Sequence, residues 1–257
     1  MAASVRTELL SALQFLTIFQ LTKTLPFDER LFGRSSAYFP VVGLILGAFV
    51  WGADTLLQKT FPPTLRNLVL VVALVILSRG LHLDGLADSA DGLFGGLDRE
   101  RRLSIMKDSR IGTFGTLALI SVVLFKLRAL DLLSGSDRSV ALLLGPMLSR
   151  WAYVVMAYRA LPARADGLGA VLVRNVFVRE LAIASGTSLL VSILIGGVGG
   201  LLALLLAGAF TLGMTRFCTA RLGGVTGDSF GAVGEIVETS TFCLFALFAA
   251  DVSDMSL

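Results

Sequence analysis

Apolar stretches of about one membrane thickness, each closed by a short polar segment, recur along the chain and predict an all-α, polytopic membrane helix bundle. Val5 to Leu21 mixes Leu9, Leu10, Leu13, Leu16 and Phe19 with Arg6, Glu8 and Gln14, the pattern of an N-terminal amphipathic helix at the membrane surface or of a short buried one. Lys23 to Arg34, with Pro26, reads as a loop, and Ser35 to Ala53 as the first uncharged span. Within it Gly43 and Gly47 form a pair that permits close helix approach. Leu65 to Leu81 is the second span. Thr113 to Leu133 is the third, with Lys126 and Arg128 near its far end, where they are expected to snorkel. Ser139 to Tyr158 is the fourth; it contains Pro146 and Arg150, the latter so deep that a functional or paired position is expected. Leu181 to Thr215 is uncharged but too long for one helix, and the glycine-rich run from Gly196 to Gly200 breaks it into a hairpin, the fifth and sixth spans. The seventh runs from about Ala232 to Ala250.

Composition agrees: of 257 residues 55% are hydrophobic and only 16% charged, which takes the chain out of the soluble class and is read as one transmembrane domain, 1–257. A net charge of +3 is too small and too spread to suggest nucleic acid. The distribution of that charge is more telling than its sum. With the N-terminus inside, most of the 22 Lys and Arg fall in the segments on one side, which marks it as cytoplasmic and places the chain in a cytoplasmic (inner) membrane. The N-terminus lacks the order of a signal peptide and is expected to be retained. Cys218 and Cys243 have neither disulfide nor thiolate-metal spacing.

Against this sparse charge the stretch from His82 to Gly115 stands out. Asp84, Asp88 and Asp91 are spaced i, i+4, i+7, so on a helix their carboxylates share a face. Mutually repelling acids suit a hard cation, Mg²⁺ or Mn²⁺, rather than zinc. Lys107 and Arg110, on either side of Asp108, offer the positive charge that a metal-held phosphate also needs. His82 is a candidate for binding phosphate or orienting a carboxylate. A second constellation, Asp228 and Ser229 in a glycine-rich turn followed by Glu235 and Glu238, falls on the same side of the membrane. The two are expected to face each other across one cleft, with Asp228 a further metal ligand and Glu235 a second-metal ligand or base. No P-loop, H-E-x-x-H or cysteine pair is present, and Gly227 to Gly231 fits the nucleophile-elbow pattern without its strand or a free histidine base.

Three stretches, His82-Leu-Asp-Gly-Leu-Ala-Asp-Ser-Ala-Asp-Gly92, Ile105-Met-Lys-Asp-Ser-Arg-Ile-Gly112 and Gly223-Gly-Val-Thr-Gly-Asp-Ser-Phe-Gly231, resemble the signatures of the cobalamin synthases of bacteria and archaea. Phe39-Pro40-Val41-Val42-Gly43 and Asp166-Gly167-Leu168-Gly169 extend the likeness. The resemblance implies an integral membrane enzyme that joins α-ribazole, or its 5′-phosphate, to adenosylcobinamide-GDP with release of GMP, using Mg²⁺. Asp84, Asp88, Asp91, Asp228 and Glu235 would then be catalytic, and His82, Lys107, Asp108, Arg110 and Ser229 would bind substrate, with a homo-oligomer left open. Asp88 to Gly92 also matches the D-x-x-D-G opening of the CDP-alcohol phosphotransferases, but Leu93-Phe94 stands where their A-R dipeptide begins. A divalent-cation carrier, the non-enzymatic alternative, would want its acids in mid-span rather than at one surface.

Overall fold

A computed structural model describes residues 4–22 and 27–254; the start of the expected loop, Lys23 to Pro26, lies outside the described residues. The chain is helical throughout, with an isolated bridge between Pro162 and Val225 as the only β pairing among the described residues. The bundle is built around α8 (Gly135–Arg159), against which α3 (Phe39–Leu57), α10 (Val178–Leu222) and α11 (Gly227–Asp254) all pack. In its most apolar window 83% of α8 is buried, against 22% for α7 (Thr113–Leu132) and α10. So α8 is the core of the bundle, and the other two present most of their apolar side chains outward, as lipid-facing helices do.

Close packing of α3 on α8 follows from the two glycines singled out above. Pro146 has no N–H, which frees the Leu142 carbonyl within α8. Gly47 lies against that carbonyl, and Gly43 against the backbone of Pro146 and Met147, where any Cβ would collide. Overpacking such a contact costs about 1–3 kcal/mol. Gly47→Val is therefore expected to lower the melting temperature in detergent, while Gly52→Val, where the space around the glycine is open, leaves it unchanged.

Five helices are long and apolar enough to span a membrane, six if α4 (Pro63–Leu77) and α5 (Leu81–Gly95) count as one bent pair. The longest, α10, is two arms. Gly197 has φ 53° and ψ −132°, and Gly200 abuts the Ser192 carbonyl, whereas eight residues of straight helix would hold them about 12 Å apart. The hairpin expected at residues 196–200 is thus present, and a total of seven passes is reached only by counting both arms and the bent pair.

Other expectations change in detail. The amphipathic segment forms α1 (Val5–Leu16), of which Glu8 is fully buried and paired with Arg34 at 2.7 Å and Arg179 at 2.9 Å, so α1 is docked on the bundle. The polar loop holds a short helix, α2 (Glu29–Ser35), capped by the Asp28 side chain. Lys126 does not snorkel. It is 4% exposed and donates to both Glu235 and Glu238 at 2.7 Å, while Arg150 donates to Glu238 at 2.8 Å. Arg128 does reach solvent, beside Asp131. At the end of the bundle away from α5, Arg138 binds Asp54 through two nitrogens and also Asn67 and the Leu130 carbonyl, tying α3, α4, α7 and α8 together.

Candidate functional site

The acidic stretch is set by a corner. After Leu77 the chain turns by 86°, with Arg79 (φ 56°) and Gly80 (φ 67°) both left-handed, and α5 starts across the end of the bundle. A left-handed arginine is an uncommon conformation, and the following glycine completes the turn without strain. The second span expected over Leu65 to Leu81 therefore ends earlier, at Leu77, before this corner.

One face of α5 lies on the start of α11. Gly85 meets the backbone of Asp228 and Gly231, and Gly231 meets the His82 carbonyl, so neither position has room for a Cβ. The two constellations therefore face each other, as expected. Asp84 is exposed, and Asp88 and Asp228 are half-buried. The charge on Asp88 is opposed by Asp228, Asp84 and Asp91, with Arg164 as the compensating cation. Arg164 approaches Asp228 at 3.7 Å. It comes from the loop between α8 and α9 (Leu168–Asn175), which reaches the site because Gly169 packs on the backbone of Gly227. The sequence motifs mark this loop only from Asp166 on, and the one signal for Arg164 is a lone arginine in a polar loop.

Asp91 sits differently. Its Oδ2 accepts from the Gly112 N–H at 2.7 Å and its Oδ1 from the Gly115 N–H at 2.8 Å, so the carboxylate caps the N-terminus of α7 from outside. Ser229 is fully buried and caps α11: Thr226 N–H donates to its Oγ at 3.2 Å and its own N–H donates to Thr226 Oγ1 at 3.3 Å. It therefore does not present a free hydroxyl to a phosphate. Glu235 lies seven residues into α11, about 10 Å beyond Asp228, with its carboxylate on Lys126. In this position the Glu235 carboxylate is engaged by Lys126 and stands apart from the Asp84, Asp88 and Asp228 cluster. Arg110 chelates Asp108 at 2.7–3.3 Å, and these hydrogen bonds pull the Asp108 carboxyl down to about 2. Arg110 and Lys107 are exposed and outside the Asp84, Asp88 and Asp228 cluster.

Three recesses adjoin α5. A partly open cavity of ≈ 130 Å³ lies between α5, α9 and α11, with Asp84 and Asp228 on its wall. An open groove of ≈ 540 Å³ runs along the other side of α5, past Asp84, Asp88, Arg79 and Ser109. A third, of ≈ 320 Å³, holds Asp91, Arg101, Asp108 and Arg110. Asp84 is common to the first two.

Among the described residues no three acids, imidazoles or thiols form a ready-made ion cage. The donor set still fits Mg²⁺, which takes one or two carboxylates and completes its octahedron with water and substrate phosphate. Asp84, Asp88 and Asp228 supply hard oxygens whose repulsion is offset in part by Arg164 and by the Thr226 hydroxyl on Asp228.

The family model described as cobalamin-5-phosphate synthase matches residues 8–246. The chain is 44% identical to the adenosylcobinamide-GDP ribazoletransferase of Syntrophobacter fumaroxidans over 232 residues, covering 89% of this chain and 93% of that protein. It is 41% identical to the protein of that name in Roseiflexus over 243 residues, 93% and 88% of the two chains. A Pseudomonas fluorescens relative with the same name is also 41% identical, over 92% of this chain and 98% of its own. No solved structure gives a significant match. With nearly its whole length matched, and with the acidic helix and the glycine-rich turn meeting in one site, the chain belongs to the cobalamin-5-phosphate synthase family.

Proposed function

We propose that the protein is a membrane-bound adenosylcobinamide-GDP ribazoletransferase that works at the cytoplasmic face of the inner membrane. It joins α-ribazole, or α-ribazole 5′-phosphate, to adenosylcobinamide-GDP. A ribose hydroxyl oxygen forms a bond to the corrinoid-bearing phosphorus, the bond from that phosphorus to the bridging oxygen breaks, and GMP departs. The hydroxyl proton passes to a carboxylate, for which Asp228, on the wall of the cavity, and Asp88, in the groove, are the candidates on either side of Asp84. Mg²⁺, for which one or two of Asp84, Asp88 and Asp228 would be the protein ligands, would neutralise the diphosphate when bound. Arg164 balances the carboxylate cluster, and Asp91, by capping α7, keeps the loop from Lys107 to Gly112 against α5.

The observation that carries this reading is the meeting of Asp84 and Asp88 with Asp228 across the glycine contact of α5 and α11, in a chain whose relatives bear that name. The positive-inside distribution supports the cytoplasmic face: Arg79, Arg99, Arg101, Arg102, Lys107, Arg164 and Arg221 all flank the site end. The test is mass spectrometry of products formed in liposomes. We expect adenosylcobalamin or its 5′-phosphate together with GMP, no turnover after chelation of divalent metal, and recovery on adding Mg²⁺. CMP release from a CDP-alcohol, or divalent-ion flux without any nucleotide, would overturn it.

A further inference from the structure

The chain has a single histidine, and half of its ring is unaccounted for. His82 is 2% exposed, its Nδ1 lies 2.6 Å from the Tyr153 hydroxyl, and its Nε2 has no partner although the side chain lines the ≈ 130 Å³ cavity. Counting the buried hydrogens decides which nitrogen carries the proton. If Tyr153 donates to Nδ1, its hydroxyl hydrogen is satisfied and the ring proton sits on Nε2, at the cavity. The opposite polarity would leave the hydroxyl's own hydrogen buried without an acceptor and Nε2 a buried acceptor without a donor. Nδ1 is thus the acceptor, and the ring proton is on Nε2. Gly234 keeps room for the Tyr153 hydroxyl, since a Cβ there would come within 2.6 Å of its oxygen.

We propose that His82 Nε2–H is the hydrogen-bond donor that seats the accepting nucleoside in the cavity between α5, α9 and α11, with Tyr153 as the positioning residue that holds that tautomer. The identity of the occupant rests on the transferase reading above; the tautomer does not. Phe15, Leu168, Leu172 and Phe230 give the cavity apolar walls suited to a flat heteroaromatic base. Its charged lining is Asp84 and Asp228, acceptors for the hydroxyls of a sugar, with no Lys or Arg. The sugar then reaches toward Asp84, where the cavity meets the open groove that admits the diphosphate substrate.

One histidine makes the test direct, because ¹⁵N-histidine labelling of the whole protein in detergent yields one imidazole. The expected spectrum has a pyridine-type Nδ1 and a pyrrole-type Nε2, and α-ribazole shifts the Nε2 resonance whereas GMP does not. Tyr153→Phe should mix the two tautomers and raise KM for α-ribazole about tenfold, with KM for adenosylcobinamide-GDP unchanged. A pyrrole-type Nδ1 in the wild type would overturn the tautomer. A correct tautomer that responds to GMP and not to α-ribazole would overturn the occupant, even in a protein that turns over as a transferase. Loss of turnover with the expected spectrum would count against the reaction and not against the tautomer.

Discussion

Asparagine at Asp84 or at Asp228 is expected to lower kcat/KM about 10²–10³-fold at saturating Mg²⁺, the range seen when one preorganised electrostatic partner of a developing charge is removed. The double variant should fall little further. If the two carboxylates serve one metal-and-phosphate unit, losing either disables the unit, and the second loss finds nothing left to remove. The geometry separates this result from unfolding. Asp84 is exposed, and the hydrogen bonds and ion pairs of the Asp228 carboxylate are a 3.3 Å contact with Thr226 and a 3.7 Å approach by Arg164. Neutralising either relieves repulsion within the cluster, so melting temperatures should hold at the wild-type value. Single-turnover GMP release and thermal melts of the two single variants and the double, in the same detergent, decide it. Additive losses, or a single variant with full activity, would show that the carboxylates do not share a site.

Much of this site was legible because helical spacing converts directly into a shared face: Asp84 and Asp88, one turn apart, need only a helix to stand together. The same arithmetic grouped Asp91 with them but had no access to the backbone of another helix. Its role as a cap on α7 depends on where Gly112 and Gly115 arrive after a loop. Glu235 stands apart from the cluster for a related reason. The i+7 spacing from Asp228 is a real common face, but on a helix entering the membrane seven residues are a change of depth as well as of register. Gly196 to Gly200 advertised the hairpin by sheer concentration of glycine, whereas the corner before α5 rests on Arg79 and Gly80 alone, inside a stretch whose hydropathy runs on. The seven residues of α2 were hidden in a charged segment whose pattern is that of a loop; only the Asp28 side chain, capping Leu31, marks the start.

Lys126→Met should cost about 3–5 kcal/mol, because it strands a buried charge rather than merely deleting a contact. Lys126 and Arg150 balance Glu235 and Glu238 inside the bundle, and all four side chains are less than a tenth exposed. Methionine matches the length of lysine but leaves Glu235 with no cation and Glu238 with Arg150 alone. At roughly 2–4 °C per kcal/mol for a chain of this size, the melting temperature should drop by about 10 °C. Lys126→Met with Glu235→Gln removes one charge of each sign and keeps the Arg150–Glu238 pair, so most of the loss should return. That partial recovery is the diagnostic step, since a purely steric defect at position 126 would not be relieved by changing position 235. Arg150 also donates to Ser149 of its own helix, so the network is anchored on α8. A single variant that melts with the wild type, or a double no more stable than the single, would mean that the four charges do not act as one buried network.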